Sequence, residues 1–282
     1  MRRALLKLAL ALDWCVLGRV RWQVLANPVS VLARPLRWLA AGRFKAGSAY
    51  GLALVSGTVA ASALLGACLH SALASSAWGL FGEVVVVAAL SAHKKLIWHV
   101  DHVLACVYSA GTNECKRAAQ LLAGRFAPRD SEDVVCETTL LSLIENLADA
   151  TVLPLLYYAA GGLPALASYK AIDLLDSLMA NFSAVNADVA SWLAWADDLA
   201  GWLPWAALCL GRRGARARLV KAVKFWAVAW FAAALGLRAS TRAVYFRACV
   251  RGAVANVGGR RADGVDLRRA QLLACAVCLA LC

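Results

Sequence analysis

Apolar positions along this chain come in long blocks rather than in the narrow stripes of a soluble helical protein. The run Tyr50–Leu69 carries no charged side chain. It spans about 20 residues, the length a helix needs to cross the hydrocarbon core of a bilayer. An uncharged link, His70 to Ser76, leads to a second apolar run, Ala77–Ala92, interrupted only by Glu83. Arg43 and Lys45 precede the first run, Lys94 and Lys95 follow the second, and no positive residue lies in the link. The bias of Lys and Arg toward the cytoplasm then predicts a transmembrane hairpin over 50–92 with both ends cytoplasmic. The preceding segment, 1–49, opens on Arg2 and Arg3 and continues mostly apolar to Leu12, with Lys7 inside. It resembles a signal peptide, but Asp13 ends the run and no small-residue cleavage site follows cleanly. It reads as a retained segment that inserts or lies in the interface.

Residues 93–146 are polar enough for a cytoplasmic helical segment. The weakly apolar stretch Leu147–Ala167 is interrupted by Pro154, Gly161, Gly162 and Pro164. Irregular backbone at membrane depth is tolerated only where protein or water covers it. This stretch is therefore expected to be re-entrant, or a helix pair lying at the membrane surface. The runs Leu199–Leu210, Phe225–Leu237 and Leu272–Cys282 are short for full spans, although flanking Trp and Arg extend the first two. The expected fold is all-α: a polytopic helical membrane protein with a cytoplasmic helical segment and a broken, re-entrant central region. The expected order is an N-terminal interfacial segment (1–49), the hairpin (50–92), a region of membrane-associated helices (93–211) and a basic C-terminal region with membrane helices (212–282).

Composition supports the lipid reading. The hydrophobic fraction is 62% and the mean hydropathy +0.64, whereas soluble domains sit nearer about 45–50% apolar. A core of this size cannot hide the excess. The net charge of +13 would suggest nucleic acid in a soluble protein. No basic–aromatic recognition motif is present, so the charge is assigned to cytoplasmic loops and anionic headgroups instead. Of the ten cysteines, Cys15, Cys68, Cys209, Cys275 and Cys278 lie in apolar stretches, where thiols act as small hydrophobes. The tail Cys275-Ala-Val-Cys278, with Cys282, lacks the second paired cluster and the polar surroundings of a metal site.

Charge is unevenly placed. Between Asp130 and Asp198 lie 11 of the 17 carboxylates, and Lys170 is the only cation there; from Arg212 onward 14 Lys and Arg face only Asp263 and Asp266. One reading is an acidic solvated loop and a basic lipid-facing tail; the other is a cation-binding centre beside a phosphate-binding surface. Ser142, Glu145 and Asp149 fall at i, i+3, i+7, one face of a helix, with Asn146 adjacent. Two carboxylates four apart repel unless a cation lies between them, and the pattern suits Mg²⁺, which takes one or two carboxylates plus substrate phosphates. A solvated face before an apolar run accounts for the same pattern. Lys170, Asp173, Asp176 and Ser177 form a second face. Lys170 can pair with Asp173, and Asp176 then lies beside Leu174, Leu175 and Leu178, a costly and often functional setting for a carboxylate. Asp197 and Asp198 stand between Trp195 and Trp202, as an interface hydrogen-bonding pair or a metal site. Arg129-Asp130 suits a helix start. There is no Walker-type Gly-x-x-x-x-Gly-Lys loop.

The series Arg129-Asp130, Ser142-Leu-Ile-Glu145-Asn146-Leu-Ala-Asp149, Pro154, Gly161-Gly162-Leu-Pro164, Tyr169-Lys170-Ala171-Ile172, Leu175-Asp176-Ser177 and Asp197-Asp198 resembles the adenosylcobinamide-phosphate synthase family of cobalamin biosynthesis in order and spacing. Leu12-Asp13 with Gly18, and Asn27-Pro28-Val29, echo its N-terminal elements. The chain departs from the family pattern at Leu141, Ser131, Asp173-Leu174, Ala180 and Asn27, after the Asp pair at Gly201 and Pro204-Trp205-Ala206, and in lacking an evident C-terminal Ser-Pro-Asn block.

The resemblance implies a multi-pass protein of the cell (inner) membrane. Such a protein joins a carboxylate of adenosylcobyric acid to aminopropanol or its phosphate with Mg²⁺ and ATP, the catalytic region being 93–211. On that reading Glu145 and Asp149 are metal ligands, Asn146 positions a phosphate or the amide, and Arg129 and Lys170 contact phosphate. Asp176 is the general base, its pKa raised by an apolar setting. Asp197 and Asp198 hold the ammonium or a second metal, with Asp130 and Ser177 also on substrate. The lipid bilayer and other late enzymes of cobalamin assembly are the expected partners, and nucleic acid is not. Two other readings use the same residues. A small transporter or channel subunit would line a path with Glu83, Asp176 and the Gly161-Gly162-Leu-Pro164 break, although no repeated half is visible. A scaffold for corrinoid-assembly enzymes would bind without turnover.

Overall fold

The computed structural model describes residues 2–16, 48–91, 93–109, 111–123, 126, 130–179, 187–210, 239–245, 248–255 and 265–272. They form two compact units, each built from two stretches of chain: Met1–Ala92 with Thr151–Val220, and His93–Ala150 with Lys221–Cys282. The region 93–211, expected as one, contributes to both.

The first unit holds α1 (Arg2–Cys15), α2 (Ser48–Ala74), α3 (Gly79–Ser91), α7 (Leu153–Met179) and α8 (Ala187–Leu210). In α1, Leu5, Ala9 and Asp13 recur every fourth position and are buried, giving one packed stripe. Its 14 residues are too few to span. The α2 helix is 27 residues long and uncharged. Only 6% of its most apolar window is buried, so Leu52, Leu64 and Leu65 stay exposed. Of the expected hairpin, α2 alone has spanning length. A turn over Ser75–Trp78 consumes the start of the second apolar run and leaves α3 only 13 residues, about 20 Å. The second stretch long and apolar enough to cross a membrane runs through Glu132–Leu178.

That stretch is not straight. Gly162 has φ 70° and ψ −155°, a conformation that only glycine adopts without strain, and Pro164 then suits the first turn of a new helix. Tyr157 and Tyr169, twelve positions apart, would be about 18 Å apart along a straight helix. Their rings instead stack with centroids 4.8 Å apart. The chain doubles back at Gly162, and α7 is a hairpin with arms 153–161 and 163–179. The longer arm runs antiparallel to α2. Gly66 meets the backbone of Leu163 and Pro164, the Ser168 hydroxyl donates to the Val59 carbonyl at 3.3 Å, and Leu175 packs with Leu54 and Val55. Lys170 and Asp173 therefore sit level with the Leu54–Val59 stretch of α2.

The second unit holds α4 (His93–Ser109), α5 (Thr112–Ala123), α6 (Glu132–Leu147), strands β1 (Ala239–Tyr245) and β2 (Ala248–Ala255), and a helix α9 at 265–272; after α6 a π turn (Ala148–Val152) begins in this unit and ends in the first. Its core follows helical spacing: Leu96, Val100, Val103 and Leu104 of α4 pack on Ala119 of α5 and Leu140 and Ile144 of α6. The α9 helix adds Leu267 and Ala270 to that core. Outside it, Gln271 donates to the Ile97 carbonyl at 3.2 Å and to Asp101 at 2.8 Å, and Arg268 donates to Asp101 at 3.0 Å.

The π turn has a local cause. Pro154 has no N–H for the Ala150 carbonyl and its ring crowds that carbonyl, so the turn before it widens. The described residues are helical as expected, apart from β1 and β2, which pair antiparallel with an irregularity between Ser240 and Arg242. Thr241, Val244, Val250 and Val254 favour strand, and Arg242 and Arg251 interrupt any apolar helix there. Phe225–Leu237 and all but the first residue of Leu272–Cys282 lie outside the described residues.

Burial, with Lys94 adding to it, pushes the His93 imidazole down to about 4. The fold thus favours neutral His93. The stability this confers is complete above the ordinary value near 6.5 and is lost as pH falls from there toward 4, in all about 3 kcal/mol. His93→Gln is expected to lose less melting temperature than the parent between about pH 7 and about pH 4.5. Equal losses in both proteins would contradict the assignment.

Candidate functional site

In the first unit Lys170, Asp173 and Asp176 lie on the longer arm of α7, and Asp197 and Asp198 on α8. Lys170 is 6% exposed and its ammonium pairs with Asp173, as the i, i+3 spacing predicts. The same ammonium lies 5.8 Å from the Tyr169 ring centroid. Tyr169 stacks on Tyr157, whose hydroxyl donates to the Ala200 carbonyl of α8 at 2.8 Å. Three residues before Ala200, Asp197 is buried and Asp198 is exposed. Neighbours on a helix point about 100° apart, so the acidic pair divides between interior and surface. The idea that both hold one second metal is set aside on that ground, and Asp197 alone faces inward. Along α7 exposure rises from buried Lys170 through half-buried Asp173 and Asp176 to exposed Ser177.

A lysine held this way cannot meet phosphate without giving up Asp173. Lys170→Met leaves the half-buried Asp173 carboxylate without its cation and is expected to cost about 1–3 kcal/mol. Lys170→Met with Asp173→Leu removes both charges and is expected to recover most of that loss in detergent melting experiments. A double variant no more stable than the single one would contradict the pairing.

Glu83, singled out in the transport reading, is buried at the other end of α2, with its carboxylate 3.5 Å from His70 Nδ1.

In the second unit the acidic residues follow α6. Arg129 lies outside the described residues and Asp130 is half-buried. Ser131 takes the N-cap position with extended backbone, and Glu132 and Asp133 fill the first turn, where the helix dipole favours acids. Glu145 is exposed and Ser142, Asn146 and Asp149 are half-buried. The Asn146 amide donates to the Ser142 carbonyl at 2.7 Å, which turns it back onto its own helix. Ser142 and Glu145 lie in α6 and Asp149 in the π turn that directly follows it.

Among the described residues no three His, Cys, Asp or Glu side chains cluster as a metal cage. Two accessible carboxylates suit Mg²⁺ held largely by phosphate and water rather than a resident transition metal. Burial first, then Glu132 and Cys106, pushes the Cys115 thiol up to about 11, so it stays protonated and acts as a packed hydrophobe.

Sequence reasoning missed Tyr157, which joins α7 to α8 across 43 positions, and gave no role to Asp13, now seen to be buried in α1. No local signal marks the first. The second was visible only as a lone acid ending an apolar run.

A model of the family described as "CobD/Cbib protein" matches residues 6–274. A protein of Brucella melitensis biotype 1 named "Cobalamin biosynthesis protein CobD" is 31% identical, the match covering 89% of this chain and 86% of its own. A Brucella suis biovar 1 protein of the same name is also 31% identical over the same shares. One from Brucella anthropi is 29% identical over 93% of this chain and 90% of its own. No solved structure matches. The likeness first carried by the blocks between Arg129 and Asp198 thus extends over nearly the whole sequence, and the chain belongs to the CobD/Cbib family of cobalamin-biosynthesis proteins.

Proposed function

We propose that this chain is the amide-forming ligase of its pathway: it joins a carboxylate of adenosylcobyric acid to aminopropanol or aminopropanol phosphate, giving adenosylcobinamide or its phosphate. The supporting observation is the set of acids on helices of an otherwise apolar chain, Asp197 buried in α8 and Asp149 at the π turn, a kind of distortion frequent at functional sites. A buried carboxylate such as Asp197 in an apolar helix is expensive and is a candidate functional group on that ground. The setting is the cell (inner) membrane, with α2 as one span, the α7 hairpin re-entrant, further spans in the polytopic whole, and the active region cytoplasmic.

The roles follow from residue chemistry. ATP-dependent ligation activates the corrinoid carboxylate as an acyl phosphate; the amine nitrogen attacks the acyl carbon and phosphate leaves. Glu145 and Asp149 would hold Mg²⁺, which when bound offsets phosphate charge. Asp197 receives the ammonium of the amine. Asp176, half-buried beside apolar neighbours, takes the proton that the nitrogen must lose before it attacks. Asn146, Asp130, Ser177 and the exposed Asp198 orient substrate, and Arg129 meets phosphate. Lys170, engaged with Asp173, shapes the site through that pair. The test is complementation: a strain lacking the cobinamide-forming step should regain cobalamin synthesis with the parent chain and not with Asp197→Asn. Failure of the expressed parent would reject the reading.

A further inference from the structure

The contact between Tyr157 and Ala200 falls at a position where α8 cannot complete its own hydrogen bonding. In an α-helix the Ala200 carbonyl accepts the amide hydrogen of the residue four positions on, and that residue is Pro204, which has none. Ala200 is buried, so the carbonyl needs a donor from elsewhere, and the Tyr157 hydroxyl supplies it at 2.8 Å. The phenol is held in turn by its ring. The reversal at Gly162 lays Tyr157 on Tyr169, with planes 10° apart and centroids 4.8 Å apart. The joint therefore connects a fixed aromatic pair on α7 to one backbone atom of α8. Asp197 precedes that atom by three positions, so the two share a helix face. Asp197 is buried on that face, while Asp198 is exposed.

We infer that Tyr157 is a positioning residue: through the Ala200 carbonyl it sets the rotation and height of α8, and so places the Asp197 carboxylate that receives the amine substrate. This rests on the reading given above that Asp197 takes the ammonium. Tyr157 touches neither reacting atom and acts through α8.

A merely structural tyrosine that satisfies a carbonyl has a different signature, and Pro204 makes the two separable. Pro204→Ala restores the intrahelical amide to Ala200 without restoring any tie to α7. Four variants are assayed with purified protein: Tyr157→Phe, Pro204→Ala, the two combined, and Asp197→Asn. Tyr157→Phe keeps the ring stack and is expected to raise KM for the amine about tenfold, with kcat and KM for the corrinoid changed by less than about threefold. The combined variant is expected to regain the melting temperature lost by Tyr157→Phe and to keep the raised amine KM. It also serves if Tyr157→Phe alone is too unstable to purify. A combined variant with the parent's amine KM would show that the hydroxyl only satisfies a carbonyl, and would overturn the proposal. So would a Tyr157→Phe that leaves the amine KM unchanged or moves both KM values equally. Asp197→Asn separates the levels. An unchanged amine KM there overturns the role of Asp197, and this inference with it. A raised one beside an unaffected Tyr157→Phe overturns only the inference.

Discussion

Asp149→Ala is expected to reduce amide formation by about a thousandfold and Glu145→Ala by about a hundredfold, the range seen when one preorganised charge contact at a reacting phosphate or oxyanion is removed. The two should differ because their surroundings differ. Asp149 lies in the π turn and is half-buried, whereas Glu145 is exposed on the last turn of α6, where water screens its charge and can replace part of its role. The loss should appear in kcat/KM for ATP and deepen as Mg²⁺ is lowered, since removing one of two carboxylates weakens an ion that keeps several waters in any case. Initial rates of amide formation across a Mg²⁺ titration check this. Full activity in both variants removes the metal role from the pair. Equal losses that ignore Mg²⁺ reassign both acids to substrate orientation.

The largest effect on stability is expected at Gly66. A side chain there would place Cβ 2.7 Å from the Leu163 carbonyl oxygen and 2.7 Å from Pro164 Cα. Both are backbone atoms of the α7 reversal and cannot rotate aside, so α2 itself must move, with loss of the Ser168 bond to Val59. Overpacking of this kind costs about 1–3 kcal/mol, and the displaced contacts add to it. Gly66→Leu should therefore lower the melting temperature in detergent by about 10 °C, taking about 2–4 °C per kcal/mol for a chain of this size. Gly57 provides the control on the same helix. Nothing lies within 4 Å of a Cβ built there, and Gly57→Ala should hold or raise stability through helix propensity, by up to about 1 kcal/mol. Similar losses at both glycines would mean that α2 does not rest on the reversal.

Which parts of this architecture were legible in the sequence depended on whether the cause was local. The absence of charge from Tyr50 to Leu69 announced α2, and Gly161-Gly162 with Pro164 announced a break, because glycine and proline act on their own backbone. The Lys170–Asp173 pair was readable from a three-residue spacing on an uninterrupted helical arm. Hydropathy marked a link at His70–Ser76 but could not fix its bounds, since its residues are as uncharged as the helices beside it: α2 runs on to Ala74 and the turn falls at Ser75–Trp78, so α3 starts later than the apolar run. The i, i+3, i+7 spacing of Ser142, Glu145 and Asp149 was legible, but the π turn that holds Asp149 was not, because Pro154 acts backward on the turn before it. The tie from Tyr157 to Ala200 needs a reversal, a stack and a proline that are far apart in sequence, and no window contains them. Asp197 and Asp198 were equivalent as letters, and only the packing of α8 separates them.

The claim on which the rest depends is that this apolar, acid-bearing chain makes an amide bond and does not merely carry or gather corrinoids. It is tested most directly by incubating the purified protein in detergent with adenosylcobyric acid, aminopropanol phosphate, ATP and Mg²⁺, and following the product by mass. Adenosylcobinamide phosphate formed in proportion to protein, with ATP consumed and no product from Asp149→Ala, is the predicted result. Corrinoid bound without turnover, or moved across vesicles without amide formation, would contradict it.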